Sequence, residues 1–415
     1  MDLSRQIEEY LPRPLLKLVK QISRQGAKLD QKVYLVGGVV RDLLLGYPNF
    51  DLDLVVEGDA VKLAQQVTET GQARLLAHKR FGTAKLKYDD FTLDLATARK
   101  ETYARPGALP AVTPGTLIDD LIRRDFSINA MAMSLTTDNY GQLIDPYQGK
   151  NDLEHRLIRV LHSRSFSDDA TRILRGVRYE QRFGFEFEAQ TADLLERDIP
   201  MLDTISGDRI RHELELILKE QRPERAIERL GELGVLARIN SSLKGDGWIA
   251  NKFDRARRLK KPAQLPSLFF CLLVYSLNET DIEQLLVRLN IPAKLSRAMR
   301  DTVRLKTRLP LLDEPSLKPS DIYYLLTEYE TLAIQTDAIA TESPTVRRSL
   351  QLFLTKLRYV RTALDGEDLK KLGVSPGPEM GRVLRMLHKA KLDGEVCTRA
   401  DEKKLAVSSS RKLER

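Results

Sequence analysis

The chain has 415 residues, a formal net charge of +8 and 42% hydrophobic residues. Its length predicts roughly two to four domains, and its basic charge is compatible with a polyanionic partner. The two cysteines, Cys271 and Cys397, have no Cys or His neighbours at metal-ligand spacing, which argues against a zinc site and a disulfide framework. No segment has the apolar core of a signal peptide or the length of a membrane span, so we expect a cytoplasmic protein.

Residues 32–143 switch repeatedly between short strand-like runs and helical runs. Apolar or alternating patterns in VYLVGG, FDLDLVVE, TAKLKY and FTLDLATA predict strands, and VKLAQQVTET predicts a helix between two of them. After Asp145 the strand signal nearly vanishes, and successive helices punctuated by Pro and Gly follow. The sequence therefore predicts an α+β fold in which a mixed-sheet domain precedes an all-helical part.

A Gly-Gly turn follows the first predicted strand and precedes a predicted helix. The backbone of Gly37 and Gly38 is flexible enough to bring N–H groups close to a triphosphate, whose charge Arg41 would neutralise. The alternative is an ordinary tight strand-to-helix turn. The turn is not the dinucleotide-binding fingerprint, because that motif has a third glycine and a later acid.

The acid pair Asp51 and Asp53 lies in an apolar frame on the next predicted strand. Residues two apart on a strand share a face, and two close carboxylates repel unless a cation neutralises them. Mg²⁺ suits such a pair, since it prefers a few carboxylates together with water and phosphates. The pair predicts metal-dependent phosphoryl transfer, and a solvated strand face is the alternative. Asp94 in FTLDLATA is either a third carboxylate or a solvent-facing residue.

The segment LIRRDFSINAMA places polar side chains in a strongly apolar stretch, where they need partners. An ion pair between Arg124 and Asp125 is one interpretation. The other is that Arg123 or Arg124, together with Asn129, contacts a phosphate or a ribose.

The predicted helix SDDATRILRGVRYEQRF carries one acid and three arginines at three-residue steps, which places them along one side. They are Asp169, Arg172, Arg175 and Arg178. A salt-bridged surface is one explanation. In a nucleotide site, however, a carboxylate accepts from the exocyclic amino group of cytosine or adenine, and a guanidinium donates to the adjacent ring acceptor. The protein itself would then replace a nucleic-acid template.

Taken together, GGVVRD with DLD, RRDFSINAMA, SDDATRILRGVRYEQRF and GDRIRHELELIL resemble the motifs of the class II tRNA nucleotidyltransferase and bacterial poly(A) polymerase family. The resemblance runs from about residue 30 to about residue 220 and continues more weakly in LDGEDLKKLGVSPGPEMGRVLRMLHKAKLDGEV. It implies a polymerase-β-like nucleotidyltransferase head at 1–145, a helical neck at 146–220 that recognises the base, a helical body at 221–320, and a helical tail at 321–415 that binds tRNA.

The resemblance also implies roles for individual residues. Asp51 and Asp53 would be catalytic and hold Mg²⁺, and Asp169 with Arg172 would recognise the base. The remaining nucleotide contacts would come from Gly37, Gly38, Arg41, Arg123, Arg124, Asn129, Arg175 and Arg178. The segment TARKETYARPGALPAVTPGTLIDDL resembles the flexible loop that reshapes the base pocket in this family, and its Pro and Gly residues fit a hinged loop. The base-recognition motif commonly begins with Glu, where this chain has Asp168.

Basic clusters in the helical part suit the phosphate backbone of an RNA duplex, although a solvated helix face explains any single cluster equally well. The candidates are Arg255, Arg258, Lys261, Arg382, Arg385 and Lys389. The resemblance implies that the partner is the acceptor arm of tRNA and that C, A or both are added to its 3′ end from CTP and ATP, as CCA, CC only or A only. The alternatives are a poly(A) polymerase acting on RNA 3′ ends and a non-catalytic RNA-binding relative.

Overall fold

The computed structural model describes residues 1–69, 73–78, 82–258 and 265–413. The chain divides into two compact units, Met1–Leu214 and Glu215–Arg415. The first unit corresponds closely to the predicted head and neck together, and the second to the predicted body and tail. The finer division at residues 145 and 320 stays a prediction.

The first unit is built on a mixed sheet. Its strands are β1 (Lys32–Val36), β2 (Leu52–Glu57), β3 (Arg74–His78), β4 (Thr83–Tyr88), β5 (Phe91–Thr97), β8 (Ala132–Ser134) and β9 (Leu143–Ile144), in the order β3-β4-β5-β2-β1-β8-β9. Between β5 and β8, the strands β6 (Arg99–Thr102) and β7 (Ala111–Pro114) form a separate antiparallel pair. The predicted mixed sheet is confirmed, because β2 pairs in parallel with β5 and antiparallel with β1.

The alternation that predicted β2 is visible in its burial. Leu52 and Leu54 are buried on one side of the strand, whereas Asp53 between them is accessible on the other. The buried side packs with Leu93 and Leu95 of β5, which pair in register with Leu52 and Leu54. On the other side of the sheet, Val55 is buried in a second apolar cluster with Tyr34 and Leu121, so the accessible position on this side of β2 is Asp53, near the start of the strand.

Ten α-helices begin in the described part of the first unit. They are α1 (Ser4–Tyr10), α2 (Arg13–Lys28), α3 (Gly38–Leu45), α4 (Ala60–Glu69), α5 (Leu117–Ile122), α6 (Gly149–Glu154), α7 (Ser165–Asp168), α8 (Thr171–Phe183), α9 (Ala189–Asp198) and α10 (Gly207–Ile217). A capping box of Thr116 and Asp119 fixes the start of α5. The predicted neck is not entirely helical, since β10 (Leu157–Ile158) and β11 (Glu186–Phe187) pair in parallel.

The second unit is helical throughout its described residues, as predicted. Its helices are α11 (Pro223–Glu232), α12 (Val235–Ile239), α13 (Gly247–Arg257), α14 (Leu265–Leu273), α15 (Glu279–Arg288), α16 (Ala293–Arg308), α17 (Pro319–Leu326), α18 (Thr331–Ala340), α19 (Pro344–Thr355), α20 (Gly366–Lys371), α21 (Pro378–Leu392) and α22 (Arg399–Leu413). Apolar residues such as Leu326, Ile334 and Leu350 form one of its cores. No helix in the described part of the chain is long and apolar enough to cross a membrane.

Candidate active site

A polar cavity of about 530 Å³ lies in the first unit and brings together residues from distant parts of the sequence. Its walls come from the start of α3, the start of β2, the β6–β7 hairpin, the segment after α5, and α8. Eleven of the twelve predicted catalytic and nucleotide-binding residues line it: Gly38, Arg41, Asp51, Asp53, Arg123, Arg124, Asn129, Asp169, Arg172, Arg175 and Arg178.

The remaining residue, Gly37, lies just behind the cavity wall in a conformation that favours glycine. Its φ is 73°, and its N–H donates to the carbonyl of Met131 at 3.1 Å. A Cβ atom at Gly37 would lie 2.5 Å from a guanidinium nitrogen of Arg124. The Gly-Gly turn therefore lets Arg124 pass close behind the start of α3.

Replacing Gly37 with Ala is expected to displace Arg124 and to cost about 1–3 kcal/mol of backbone strain. The KM for the nucleotide should rise because Arg124 no longer keeps its position in the cavity wall. Gly46→Ala is the matched control, since Gly46 also has a φ of 73° but a Cβ there meets nothing within 4 Å. Steady-state kinetics that gave equal KM values for the two variants would contradict this role for Gly37.

The acid pair lies at the edge of the cavity. Asp51 directly precedes β2, and Asp53 is the second residue of that strand, so both carboxylates lie on the polar side. Burial raises the pKa of Asp53 to about 6; Arg124 opposes the rise, and the nearby charges of Asp51 and Asp94 add to it. A divalent cation bound through these oxygens would offset the repulsion between the two acids, so the donor set fits Mg²⁺.

Asp94 of β5 lies directly opposite Asp53 of the neighbouring strand β2. Its side chain, however, binds a residue of a third strand. Its carboxylate forms an ion pair with Lys85 of β4 at 3.1 Å. Among the described residues, no group of three or more His, Cys, Asp or Glu side chains is placed to hold a metal ion. Of these three acids, Asp51 and Asp53 line the cavity, whereas Asp94 does not and pairs with Lys85.

Arg41 is buried at the start of α3 and is tightly fixed. It donates to both carboxylate oxygens of Asp42, at 2.8 and 3.0 Å, and to the side-chain oxygen of Asn129 at 2.6 Å. Its guanidinium also lies 4.7 Å from the ring centre of Phe183. Arg41 is therefore pre-organised at the cavity wall, where an anionic ligand would meet it without side-chain reordering.

Asp120 neutralises both arginines that follow α5, whereas Asp125 pairs with an arginine of α8. Asp120, which is fully buried, accepts from Arg123 at 2.7 Å and from Arg124 at 3.0 Å. Asp125 instead pairs with Arg175 at 2.6 Å and accepts from Asn129 at 2.9 Å. The ion pair between Arg124 and Asp125 that adjacency suggested is therefore wrong, because the two side chains turn to different partners.

Asp125 links the cavity-lining residues Arg41 and Asn129 to α8. Burial disfavours its charged form, but the charge of Arg175 and the hydrogen bonds from Asn129 and Arg175 outweigh burial and lower the pKa of Asp125 to about 2. The same contact raises the pKa of Arg175. A continuous polar chain thus runs from Arg41 through Asn129 and Asp125 to Arg175.

Asp169 and Arg172 lie on the same cavity wall, and each is oriented by other residues. Asp169 accepts from the backbone N–H of Thr171 at 2.9 Å and forms an ion pair with Arg209 at 2.7 Å. Arg172 is buried and donates to the hydroxyl of Ser165 at 2.6 Å and to the carbonyl of Arg123 at 2.7 Å. Both side chains are therefore fixed as an acceptor and a donor at one surface.

Comparison with known proteins places this geometry in a family. Residues 33–159 match the poly(A) polymerase head domain, and residues 184–244 match a domain described as a probable RNA and SrmB-binding site of polymerase A. An A-adding tRNA nucleotidyltransferase of Halalkalibacterium halodurans is 35% identical over 93% of this chain and 90% of its own length. The chain belongs to the tRNA nucleotidyltransferase and poly(A) polymerase family.

Two further relatives of the tRNA nucleotidyltransferase family extend the comparison. An A-adding tRNA nucleotidyltransferase of Geobacter sulfurreducens is 35% identical over 97% of this chain, which spans only 48% of that protein's length. The solved Thermotoga maritima CCA-adding enzyme complexed with tRNA has a TM-score of 0.79 and 29% identity, covering 99% of this chain and 98% of that one. The predicted family and fold are thus confirmed.

Sequence reasoning missed several residues that fix the site. Asp120, Glu101, Tyr103 and Arg209 all contact predicted residues or line the cavity. The i,i+4 spacing of Asp120 and Arg124 was a usable signal. The segment predicted as a hinged loop contains the paired strands β6 and β7, and Gly107 at its turn donates to the carbonyl of Ser167 at 3.2 Å.

The predicted tRNA-binding residues lie in the second unit. Arg382, Arg385 and Lys389 are exposed on α21, and their spacing places them on one face of that helix. Three of the candidates form ion pairs: Arg255 pairs with Glu342 at 3.8 Å, Arg258 with Asp254 at 2.5 Å, and Lys389 with Asp321 at 3.7 Å. These three therefore have a weaker claim than Arg382 and Arg385. Lys261 lies outside the described residues.

Proposed function

We propose that this protein is a template-independent tRNA nucleotidyltransferase that adds C, A or both to the 3′ end of tRNA and releases pyrophosphate. The observation that carries the proposal is the polar cavity of the first unit. It combines the acid pair Asp51 and Asp53 with the fixed cation Arg41 and with the base-facing pair Asp169 and Arg172. The names of the A-adding and CCA-adding relatives support the same activity.

The proposed reaction is a displacement at the α-phosphate of CTP or ATP. The 3′ oxygen of the RNA forms a bond to the α-phosphorus, the bond from that phosphorus to the bridging oxygen breaks, and pyrophosphate leaves. Arg41 and Arg124 would bind the triphosphate and stabilise the charge that passes to the leaving group. Asn129, fixed between Arg41 and Asp125, would contact phosphate or sugar.

The acid pair would hold Mg²⁺ in the active enzyme. Bound there, the cation would supply positive charge to the attacking and leaving oxygens of the displacement. The contribution of the protein is to keep both carboxylates on one side of β2, within the polar cavity that also contains Arg41 and Arg124.

The choice of base would depend on Arg172, a hydrogen-bond donor on α8, and on Asp169, an acceptor just before that helix. Asp169 has the polarity to accept from the amino group of C or A, and Arg172 has the polarity to donate to the adjacent ring nitrogen. Uracil and guanine present the opposite polarity at the corresponding edge. Arg209, Ser165 and the carbonyl of Arg123 support the pair, while Arg175 and Arg178 stabilise this part of α8 through Asp125 and Glu213.

Among the possible products, we favour addition of the terminal A alone. Both curated relatives compared above are named A-adding enzymes and match this chain over almost its whole length. The specific rivals are addition of CC, addition of the complete CCA, and repeated addition of A by a poly(A) polymerase, a rival suggested by the match to the poly(A) polymerase head.

One set of substrates distinguishes these activities. The protein is incubated with three tRNAs that end before the first C, before the second C and before the terminal A, with CTP or ATP supplied separately. We expect a single A to be added to the third tRNA and no C to be added to the other two. Incorporation of C would replace the A-only assignment, a long A product would indicate a poly(A) polymerase, and no product with any tRNA would contradict the proposed function.

For tRNA binding, we propose the exposed basic face of α21. Arg382 and Arg385 present two cations on this face, and Lys389, which pairs with Asp321, follows on the next turn. Such a face suits the phosphates of an RNA duplex that is recognised by shape. Arg255, Arg258 and Lys261 are secondary candidates. The proposed partner is the acceptor arm of tRNA.

A further inference from the structure

The loop between α3 and β2 carries Asp51, yet an N-terminal helix outside the matched head domain fixes this loop. Tyr10 is the last residue of α1. Its hydroxyl donates to the carbonyl of Tyr47 and accepts from the backbone N–H of Asn49 at 2.5 Å. One phenol therefore bonds the loop at two points, immediately before the acid pair.

The side chain of Asn49 continues this connection in two directions. Its oxygen accepts from the backbone N–H of Asp51 at 3.0 Å, and its nitrogen donates to Asp42 at 2.7 Å. Asp42 is the carboxylate that accepts from Nε and Nη2 of Arg41. The side-chain amide of Asn49 thus connects the backbone of Asp51, a proposed metal ligand, to the side chain of Asp42. Asp42 in turn binds Arg41, which is proposed to contact the triphosphate.

Aromatic packing keeps the phenol of Tyr10 in place. Its ring centre lies 6.0 Å from that of Phe50, and Phe50 in turn meets Phe91 of β5 edge to face at 6.4 Å. The burial of α1 itself depends on other residues, because Leu3, Ile7 and Leu11 are the ones that enter the core. Removing only the hydroxyl of Tyr10 should therefore leave α1 docked and release only the loop.

We propose that Tyr10 and Asn49 are positioning residues that hold Asp51 in register with Arg41, so that metal and triphosphate are bound at matched positions. This inference rests on the proposed function, in which Asp51 binds the metal and Arg41 binds the triphosphate. Neither residue is proposed as a catalytic group: Tyr10 acts only through the loop, and Asn49, although it lines the cavity, acts through its bonds to Asp51 and Asp42. Loss of such an outer contact to a metal ligand typically costs about tenfold to a hundredfold in metal affinity or activity.

The decisive variant is Tyr10→Phe, which removes the hydroxyl and keeps the ring. We expect kcat to fall at least about tenfold and the Mg²⁺ concentration for half-maximal rate to rise by a similar factor. The KM for ATP should change less than about twofold, because Arg41 keeps its bonds to Asp42 and Asn129. Asn49→Ala should show the same loss of kcat, with a larger change in KM because Asp42 loses a partner.

Hydrogen–deuterium exchange without metal or substrate tests the geometry independently of activity. The amide of Asn49 should exchange faster in Tyr10→Phe, and the amide of Asp51 faster in Asn49→Ala, because each loses the acceptor that the structure shows. Tyr34→Phe is the matched control: its hydroxyl bonds Glu57 at 3.2 Å, and the residue does not line the cavity. This control should leave kcat, the Mg²⁺ requirement and the exchange of both loop amides unchanged.

The outcomes separate the inference from the proposed function. Faster exchange in Tyr10→Phe with wild-type kcat and Mg²⁺ requirement would overturn the positioning role, because the contact would then be only structural. Unchanged exchange of the Asn49 amide in Tyr10→Phe would also overturn the inference, because it would show that the hydroxyl of Tyr10 does not hold the loop. If the wild-type protein adds no nucleotide to any tRNA, the proposed function itself fails, whatever the exchange data show about the loop.

Discussion

Asp53→Ala is expected to lower nucleotide addition to tRNA by more than about a hundredfold, because the variant loses a proposed metal ligand rather than an outer contact. Asp51→Ala should have a comparable effect. In both variants the remaining acid would hold the metal alone, without the second carboxylate that fixes its position. The measurement is incorporation of labelled ATP into tRNA that lacks its terminal A, at saturating nucleotide and Mg²⁺.

The fold should survive both substitutions, because Asp51 and Asp53 are accessible and their removal relieves repulsion between like charges. Circular dichroism should therefore match the wild type, and the thermal unfolding midpoint should be at least as high as that of the wild type. Asp94→Ala is the matched control: this acid neighbours Asp53 in the sheet but pairs with Lys85. A loss in Asp94→Ala as large as that in Asp53→Ala would contradict the two-acid site and favour three carboxylates.

The local patterns in the sequence predicted the head sheet and its acid pair well. Strand alternation around Asp53 has a period of two residues, and the burial of Leu52 and Leu54 follows it. The Gly-Gly turn also has a local cause, since the φ of Gly37 is one that side-chain-bearing residues avoid. Features that depend on residues close together along the chain could therefore be predicted from the sequence alone.

The partners of the charged residues could not be predicted in the same way. Asp125 meets Arg175 and Asp169 meets Arg209, and both contacts join segments about forty to fifty residues apart. Adjacency instead suggested the pair of Arg124 and Asp125. The hairpin of β6 and β7 was missed because its Pro and Gly residues favoured a loop, whereas cross-strand pairing of residues such as Glu101 and Val112 decided its structure.

Asp125→Ala is expected to destabilise the first unit by about 2 kcal/mol or more, because it leaves the guanidinium of Arg175 and the amide of Asn129 without their buried acceptor. For a unit of this size, that loss corresponds to a fall of about 4–8 °C in the thermal unfolding midpoint. Activity should fall too, since Asn129 loses the contact that orients it beside Arg41. Differential scanning calorimetry measures the stability and labelled ATP incorporation measures the activity.

The pH dependence of the stability difference between wild type and Asp125→Ala provides a second test of the role of this carboxylate. The pKa of Asp125 is lowered to about 2 in the folded protein from an ordinary value of 3.8, so the charged carboxylate stabilises the fold above about pH 4. That contribution is lost as the pH falls from 4 towards 2, and the difference in unfolding midpoint between wild type and Asp125→Ala should shrink over the same range. Asp138→Ala, which removes an exposed acid of the same unit, should show neither the loss at neutral pH nor the convergence in acid. A difference that stayed constant down to pH 3 would show that Asp125 stabilises the fold by packing rather than by its charge.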